Sequence, residues 1–235
     1  MAIADLGLVS DQWLSELLGR PAWKVTTPAA LKGGEALKAV GNGFFFTRVP
    51  TVEVQELHRL EGLGFRVVDT TITLETADIR HYDVPNVQAR FACSSDRLAV
   101  AGIASRAFSM SRLHLDPKIP KAIADRSRAA WATNFFMGTR GDAMVIAETD
   151  GRIGAFLLAL GPTNGVVTID LMAVEASVRR RGLGAACVRF AATNINGCER
   201  LRVGTQVANV ASLHFYEALG FRAVSSHYVL HLHRD

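Results

Sequence analysis

Arg179, Arg180 and Arg181, followed by Gly182-Leu183-Gly184-Ala185, are the residues best suited to gripping an anion. An apolar, strand-like stretch, Val166 to Val174, leads into them. A helix-like stretch containing Ala185, Ala186, Val188, Phe190 and Ala191 leads away. A helix begun in this way leaves its first N–H groups without intrahelical partners, at the positive end of the helix dipole. Glycines let those amides come close to an oxyanion, and the arginines add charge and forked donors. Pyrophosphate suits such a turn. The spacing, R-x-x-G-x-G-A, is neither the P-loop pattern G-x-x-x-x-G-K-[ST] nor the dinucleotide pattern G-x-G-x-x-G.

A second group lies downstream. Asn209 is a good helix N-cap, and Tyr216 falls seven residues later on the same face, about 10 Å along the axis at 1.5 Å per residue. Taken alone, these two could be a cap and a core aromatic. Upstream, Arg112, His114 and Asp116 alternate and would share a face if the segment were extended. His114 or Asp116 could then accept a proton from an ammonium group. The stretch Asn134 to Asp142, with Arg140 in it, is a second candidate of that kind. The mixed, rather basic set of Arg112, Asp116, Lys118, Lys121, Arg140 and Asp142 leans toward an anionic partner molecule. His227, His231 and His233 share one face of the last strand at metal-compatible spacing. They have no cysteine or acidic neighbour in that strand, so a solvated terminal strand is the reading, and no metal is expected.

These residues need elements to hold them. A helix is expected over Ile3–Ala22, a strand at Phe44–Thr47, a helix over Val52–Leu63 closing on Gly64, and a strand from Phe65 to Leu74. The turn-rich Tyr82-Asp83-Val84-Pro85-Asn86 divides the chain into residues 1–85 and 86–235. The second part should hold helices over Asp96–Phe108 and Lys121–Phe136 and strands at Ala143–Glu148, Ile153–Leu160, Val166–Val174 and Arg200–Gln206. A helix over Asn209–Leu219 and a final strand pair from Phe221 should follow. Leu60–Val68 aligns without gaps on Tyr216–Val224, six of nine residues being identical. The match is either two copies of a common helix–Gly–strand junction or a repeat; if a repeat, the first part is a partial copy of the second, lacking the basic glycine turn and with Leu60 in place of Tyr216.

Composition narrows the classes. The chain has 235 residues, 49% of them hydrophobic and 20% charged, which fits a folded globular protein. Its net charge is +4, and no lysine- or arginine-rich block stands beyond Arg179–Arg181, so no nucleic-acid partner is expected. Three cysteines without paired spacing fit a reducing compartment. The first residues lack a signal-peptide pattern, and no stretch approaches the ~20 apolar residues of a membrane span. A cytoplasmic location without membrane partners follows as the expectation.

Arg179–Ala185 and the series Asn209, Ser212, Tyr216, Glu217, Gly220, Phe221 resemble the acyl-coenzyme-A signature and last core helix of the GNAT N-acetyltransferases. The whole chain is similar to two-part bacterial members that act on amino sugars. The resemblance implies an α/β (α+β) GNAT fold: a mixed, mostly antiparallel sheet with helices on both faces, preceded by a smaller, degenerate GNAT-like part. It implies acetyl-CoA as co-substrate and direct transfer to a primary amine in a ternary complex. Arg179, Arg180, Arg181, Gly182, Leu183, Gly184 and Ala185 would hold the pyrophosphate. Amides around Met172, Ala173 and Val174, on a strand splayed from its neighbour, would hold the pantetheine and carbonyl. Asn209 would lie beside the cofactor, and Tyr216 would protonate the leaving thiolate. Arg112, His114 and Asp116 would fall on the acceptor side. An amino-sugar nucleotide is the acceptor favoured, with protein, polyamine and aminoglycoside amines or a non-catalytic acetyl-CoA-binding module as alternatives. Homodimer formation stays open.

Overall fold

A computed structural model of the chain describes residues 7–31, 34–78 and 87–234. The dividing turn Tyr82–Asn86 and the first residues of the expected N-terminal helix lie outside them. The first part runs β1 (Leu8–Ser10), α1 (Gln12–Leu18), β2 (Ala22–Val25), α2 (Glu35–Val40), β3 (Gly43–Pro50), α3 (Val54–Gly62) and β4 (Arg66–Thr76). The expectation of one helix over Ile3–Ala22 is corrected. Asp11 starts a separate helix by accepting the Leu14 N–H at 2.9 Å, and Gly19 stops it after seven residues. Leu8–Ser10 and Ala22–Val25 pair as strands on either side.

The second part runs β5 (Gln88–Phe91), α4 (Arg97–Ala107), α5 (Arg112–Leu115), α6 (Lys121–Phe136), β6 (Ala143–Thr149), β7 (Arg152–Thr163) and β8 (Val166–Val174). It continues with α7 (Leu183–Asn194), β9 (Arg200–Gln206), α8 (Val210–Ala218) and β10 (Arg222–Arg234). Two expectations change here. The final strand pair is one 13-residue strand, β10. Arg112–Leu115 is a single helical turn and not an extended segment.

All ten strands form one sheet in the order β1-β2-β3-β10-β4-β9-β8-β7-β6-β5. Among the described pairs, β2–β3 and β8–β9 are parallel and the rest antiparallel. The order is informative. β10 leaves the second part to lie between β3 and β4, while β4 leaves the first part to lie beside β9. The near-repeat seen in the sequence sits at this exchange. Phe65 N–H bonds to Leu60 O at 3.1 Å and Phe221 N–H to Tyr216 O at 3.0 Å, so both helix–strand junctions close alike.

Strand alternation gives the sheet two covered faces. On one, α7 and α8 pack on Val145, Leu157, Val167, Ile169, Leu201 and Val203, and α3 packs on Phe45, Val49, Phe65 and Leu230. On the other, α4 and α6 cover Met144, Ile146, Phe156 and Leu158. There α1, α5 and the start of α6 cover Phe44 and Phe46. No helix among the described residues is long and apolar enough to cross a membrane.

Candidate active site

The parallel pairing of β8 with β9 stops early. It runs Val166↔Arg200 to Ile169↔Val203 and no further, although β8 continues to Val174 and β9 to Gln206. On its other side β8 stays paired with β7, from Leu158↔Leu171 to Ala155↔Val174, with a register shift next to Leu158 and Ala159. Glu175 N–H donates across to Gly154 O at 2.8 Å. Successive amides of a strand point to alternate edges, so Ala173 N–H faces β7 while Met172 and Val174 N–H face the gap. The sheet thus opens beside two outward-facing amides.

Tyr216 closes the gap from the face carrying α7 and α8. Its hydroxyl lies 3.6 Å from Met172 Sδ. Phe215 and Phe221 hold the ring at centroid distances of 4.9 and 5.1 Å. Burial pushes the Tyr216 phenol above its ordinary value, so it keeps its proton at neutral pH. The N-cap of α8 is Asn209, whose side-chain oxygen accepts the Ser212 N–H at 3.3 Å. That bond occupies its amide oxygen within the protein.

The basic turn has the geometry of an anion cradle. Arg180 has φ of +61° and Gly182 +83°, and α7 begins at Leu183 with no side chain capping it. Its first intrahelical bond is Ala186 N–H to Gly182 O at 2.9 Å, leaving the Leu183, Gly184 and Ala185 amides at the open end. A Cβ on Gly184 would come within 2.8 Å of Met172 Cε and 3.2 Å of Phe215 Cζ. Glycine there lets α7 lie against the mouth of the gap. The three arginines divide their work. Arg181 donates to Thr149 Oγ1 and Asp150 Oδ2 at 3.0 and 2.9 Å, bracing the β6–β7 turn. Arg179 reaches Val174 O at 3.3 Å, while Arg180 is exposed. This set of amides, cations and close-packed glycine fits a pyrophosphate-bearing thioester.

On the opposite face the expected acceptor residues separate. His114 Nδ1 meets Ser111 Oγ at 2.6 Å and its Nε2 meets Asp125 Oδ1 at 3.0 Å. The helical turn sends it away from Arg112 and Asp116, which removes the shared face expected of an extended segment. Arg112 and Asp116 do meet, through His231. Asp116 Oδ2 lies 2.6 Å from His231 Nδ1 and 2.8 Å from His233 Nε2, and Arg112 contacts His231 Nε2 at 2.9 Å. Arg20 contacts the remaining nitrogen, His233 Nδ1.

The solvated-strand reading of these histidines is therefore corrected, because β10 is an interior strand and His231 is 2% exposed. Asp116, His231 and His233 offer ligand atoms within 4.8 Å of one another. With an arginine on the far nitrogen of each ring, they form one chain of polar contacts, Arg112–His231–Asp116–His233–Arg20. Burial lowers His231 to about 4, so it is neutral and donates through Nδ1. Burial alone would raise Asp116, but the His231 and His233 hydrogen bonds and the Lys118 amide hold it well below the carboxylate range.

Sequence reasoning named Arg140 as an acceptor-side candidate but missed Asp170 and Trp131, which hold it beside the gap. Arg140 forms a bidentate pair with Asp170 at 2.6 Å to each oxygen, and Trp131 Nε1 donates to the same carboxylate at 2.7 Å. Asp170 is the first β8 residue beyond the last β9 pair. Only its place in the strand ahead of the basic turn could have flagged it. Asp142 instead accepts the Gly161 N–H at 2.7 Å.

Comparisons with known proteins decide the family. Residues 108–221 match the Acetyltransferase (GNAT) family. The dTDP-fucosamine acetyltransferase of Escherichia coli O6:H1 is 30% identical over 182 residues, covering 75% of this chain and 75% of its own. The chain belongs to the GNAT acetyltransferase family. A spore coat polysaccharide biosynthesis protein, SpsD of Bacillus subtilis, is 23% identical over 237 residues, covering 94% of this chain and 80% of its own. A GCN5-related N-acetyltransferase from Kribbella flavida shares the fold, with a TM-score of 0.61 at 16% identity over 90% of this chain and 80% of its own. A tandem GNAT protein from the clavulanic acid biosynthesis pathway does so at 0.59 and 10% identity, covering 92% and 76%. The fold expected from the sequence is the fold observed, and this GNAT protein is an acetyl-CoA-dependent N-acetyltransferase.

Proposed function

We propose that this GNAT enzyme acetylates an amine carried on an anionic small molecule, with an amino-sugar nucleotide as the leading class. The observation that carries the reading is the β8–β9 gap, with the Met172 and Val174 amides on one edge and the Tyr216 hydroxyl beside it. The amides of Arg181–Ala185 hold the pyrophosphate of acetyl-CoA, with Arg179 and Arg180 adding charge. The Met172 and Val174 amides bind the pantetheine and polarise the thioester carbonyl. Two donors aimed at a developing oxyanion are a large rate term, worth about 10²- to 10³-fold for each donor removed. The acceptor nitrogen attacks the carbonyl carbon, the C–S bond breaks, and Tyr216 gives its proton to the departing sulfur. Residues 86–235 carry this donor machinery.

The acceptor class rests on two supports. Two curated relatives have names tied to sugar or polysaccharide chemistry. The buried guanidinium groups of Arg112 and Arg128 stand on the face opposite Tyr216, and the charge of Arg128 repels that of Arg112. Thiol release from acetyl-CoA, measured across dTDP-linked amino sugars, peptides, polyamines and aminoglycosides, tests the class. The nucleotide sugars should give the highest kcat/KM. Preference for a polycationic amine would overturn the class, and release with no amine would overturn acetyl transfer. A separate outcome concerns the cradle. The double variant Arg179→Ala, Arg180→Ala should raise the acetyl-CoA Kd about five- to thirtyfold, corresponding to roughly 1–2 kcal/mol, and flatten its salt dependence. Titration calorimetry at two salt concentrations reads both.

A further inference from the structure

Face assignments along three strands bring an unexpected carboxylate to the acceptor side. Ile72 and Leu74 of β4 pack toward α7 and α8, so Asp69, Thr71 and Thr73 point to the opposite face. Leu201 and Val203 of β9 assign Gln206 to that face too. Phe44 and Phe46, packed under α5 and α6, assign Arg48 of β3 likewise. Asp69 is 6% exposed, and its Oδ2 is buried without a hydrogen-bond partner. The Gln206 side chain and the Thr70 amide hold the carboxylate, with Arg48 and Arg128 in its field. Arg128, on α6, is stacked over the Phe108 and Trp131 rings at 5.4 and 5.1 Å, and its Nε is also buried without a partner. Arg128 feels both Asp69 and Asp170. It therefore stands between β4 and the β8 residue at which the gap opens.

A buried carboxylate oxygen and a buried guanidinium N–H, both unpartnered, are costly unless something completes them. Asp69 already has Gln206, Thr70 and two arginines around it, yet Oδ2 is still left without a partner. The complementary group is a donor, and the acceptor of an acetyltransferase supplies one. We infer that Asp69, contributed by the first part of the chain, binds the acceptor's ammonium group through Oδ2 and takes a proton from it. The Arg128 Nε–H takes an oxygen of the same molecule. The inference rests on the acetyl-transfer reading above.

The proton count closes. Asp69 carboxylate takes one proton from R–NH3⁺, leaving a neutral amine that attacks the thioester carbon. The C–N bond forms and the C–S bond breaks. Tyr216 protonates the sulfur and is reprotonated by the second proton leaving nitrogen. Asp69 then releases its proton to solvent. Burial raises Asp69 above the ordinary carboxylate value, against the lowering effects of Thr70, Arg48, Gln206 and Arg128, which suits a group that must bind a proton briefly. On β10, Val229 stands directly opposite it and His227 is a diagonal neighbour.

The test uses the full-length enzyme and whichever amine of the panel gives thiol release. Asp69→Asn should lower kcat/KM at least about 100-fold and leave the thermal shift by acetyl-CoA intact, and Asp69→Glu should recover part of the loss. Arg48→Gln is the second variant, needed if Asp69→Asn does not fold. Removing that positive charge raises the Asp69 pKa, so the acid limb of the kcat/KM profile should move to higher pH. An Asp69→Asn enzyme within about threefold of wild type, or an acid limb unmoved in Arg48→Gln, overturns the inference while acetyl transfer stands. Wild-type inertness toward every amine overturns the functional reading itself.

Discussion

Tyr216→Phe is expected to lower kcat about 10²- to 10⁴-fold while leaving the acetyl-CoA Kd within about threefold. The phenylalanine keeps the packing on Phe215 and Phe221, so the helix and the gap it faces persist. What disappears is the hydroxyl beside Met172, whose only described contact is a long bond to sulfur at 3.6 Å. Such a bond adds little stability, so the melting temperature should barely move. Since burial raises the phenol above its ordinary value, Tyr216 stays protonated through neutral and mildly alkaline pH. Wild-type kcat should hold across that range. Steady-state kinetics with calorimetric acetyl-CoA binding reads both halves, and full turnover in the variant would sink the acid assignment.

Asp116→Ala should carry the largest stability effect. It leaves His231 and His233 without their shared acceptor and sets Arg112 and Arg20 against two buried rings. Removing one member of a buried charged network costs about 3–5 kcal/mol, which for a chain of this size lowers the melting temperature by roughly 10 °C. Burial has already brought Arg112 down to about 9, with Arg48 and Arg128 adding repulsion, so the loss of Asp116 falls on a strained cation. The same network sets an acid limit. His231 titrates at about 4 in the fold against an ordinary 6.5, so the unfolded chain binds more protons between those values. Wild-type stability should fall as pH drops from about 6.5 to about 4. Asp116, held below its ordinary value, adds a further loss below that window. Scanning calorimetry from pH 7 to 4 checks the slope, and an Asp116→Ala shift under about 2 °C would contradict the network's role.

Local patterns were legible in the sequence where one residue type decides the structure. β8, β9 and α6 fall where apolar periodicity placed them, and the glycine-started helix α7 follows the basic turn. The donor half of the candidate site lies in those segments, so it could be read. The acceptor half depends on long-range pairing. Nothing near His231 shows that β10 will insert between β3 and β4, which turns a terminal strand into an interior one. Arg112 to Asp116 alternate like a strand, yet Ser111 and Asp116 bracket a helical turn. Asp69 did leave a trace: Asp69, Thr71 and Thr73 make one face of β4 polar where the other carries Ile72 and Leu74. That alternation signals a strand with one polar face. What that face meets depends on a distant partner strand, as the pairing Thr71↔Gln206 shows.

The central claim is that acetyl-CoA occupies the β8–β9 gap and the start of α7. Backbone amide hydrogen exchange with and without coenzyme A, followed by NMR, tests it most directly. The account predicts strong protection of Met172 and Val174 and of Leu183, Gly184 and Ala185, whose N–H groups face the gap or the open helix end. Little change is expected at Ala173, which already faces β7. Protection confined to other segments, with these five amides unchanged, would contradict it.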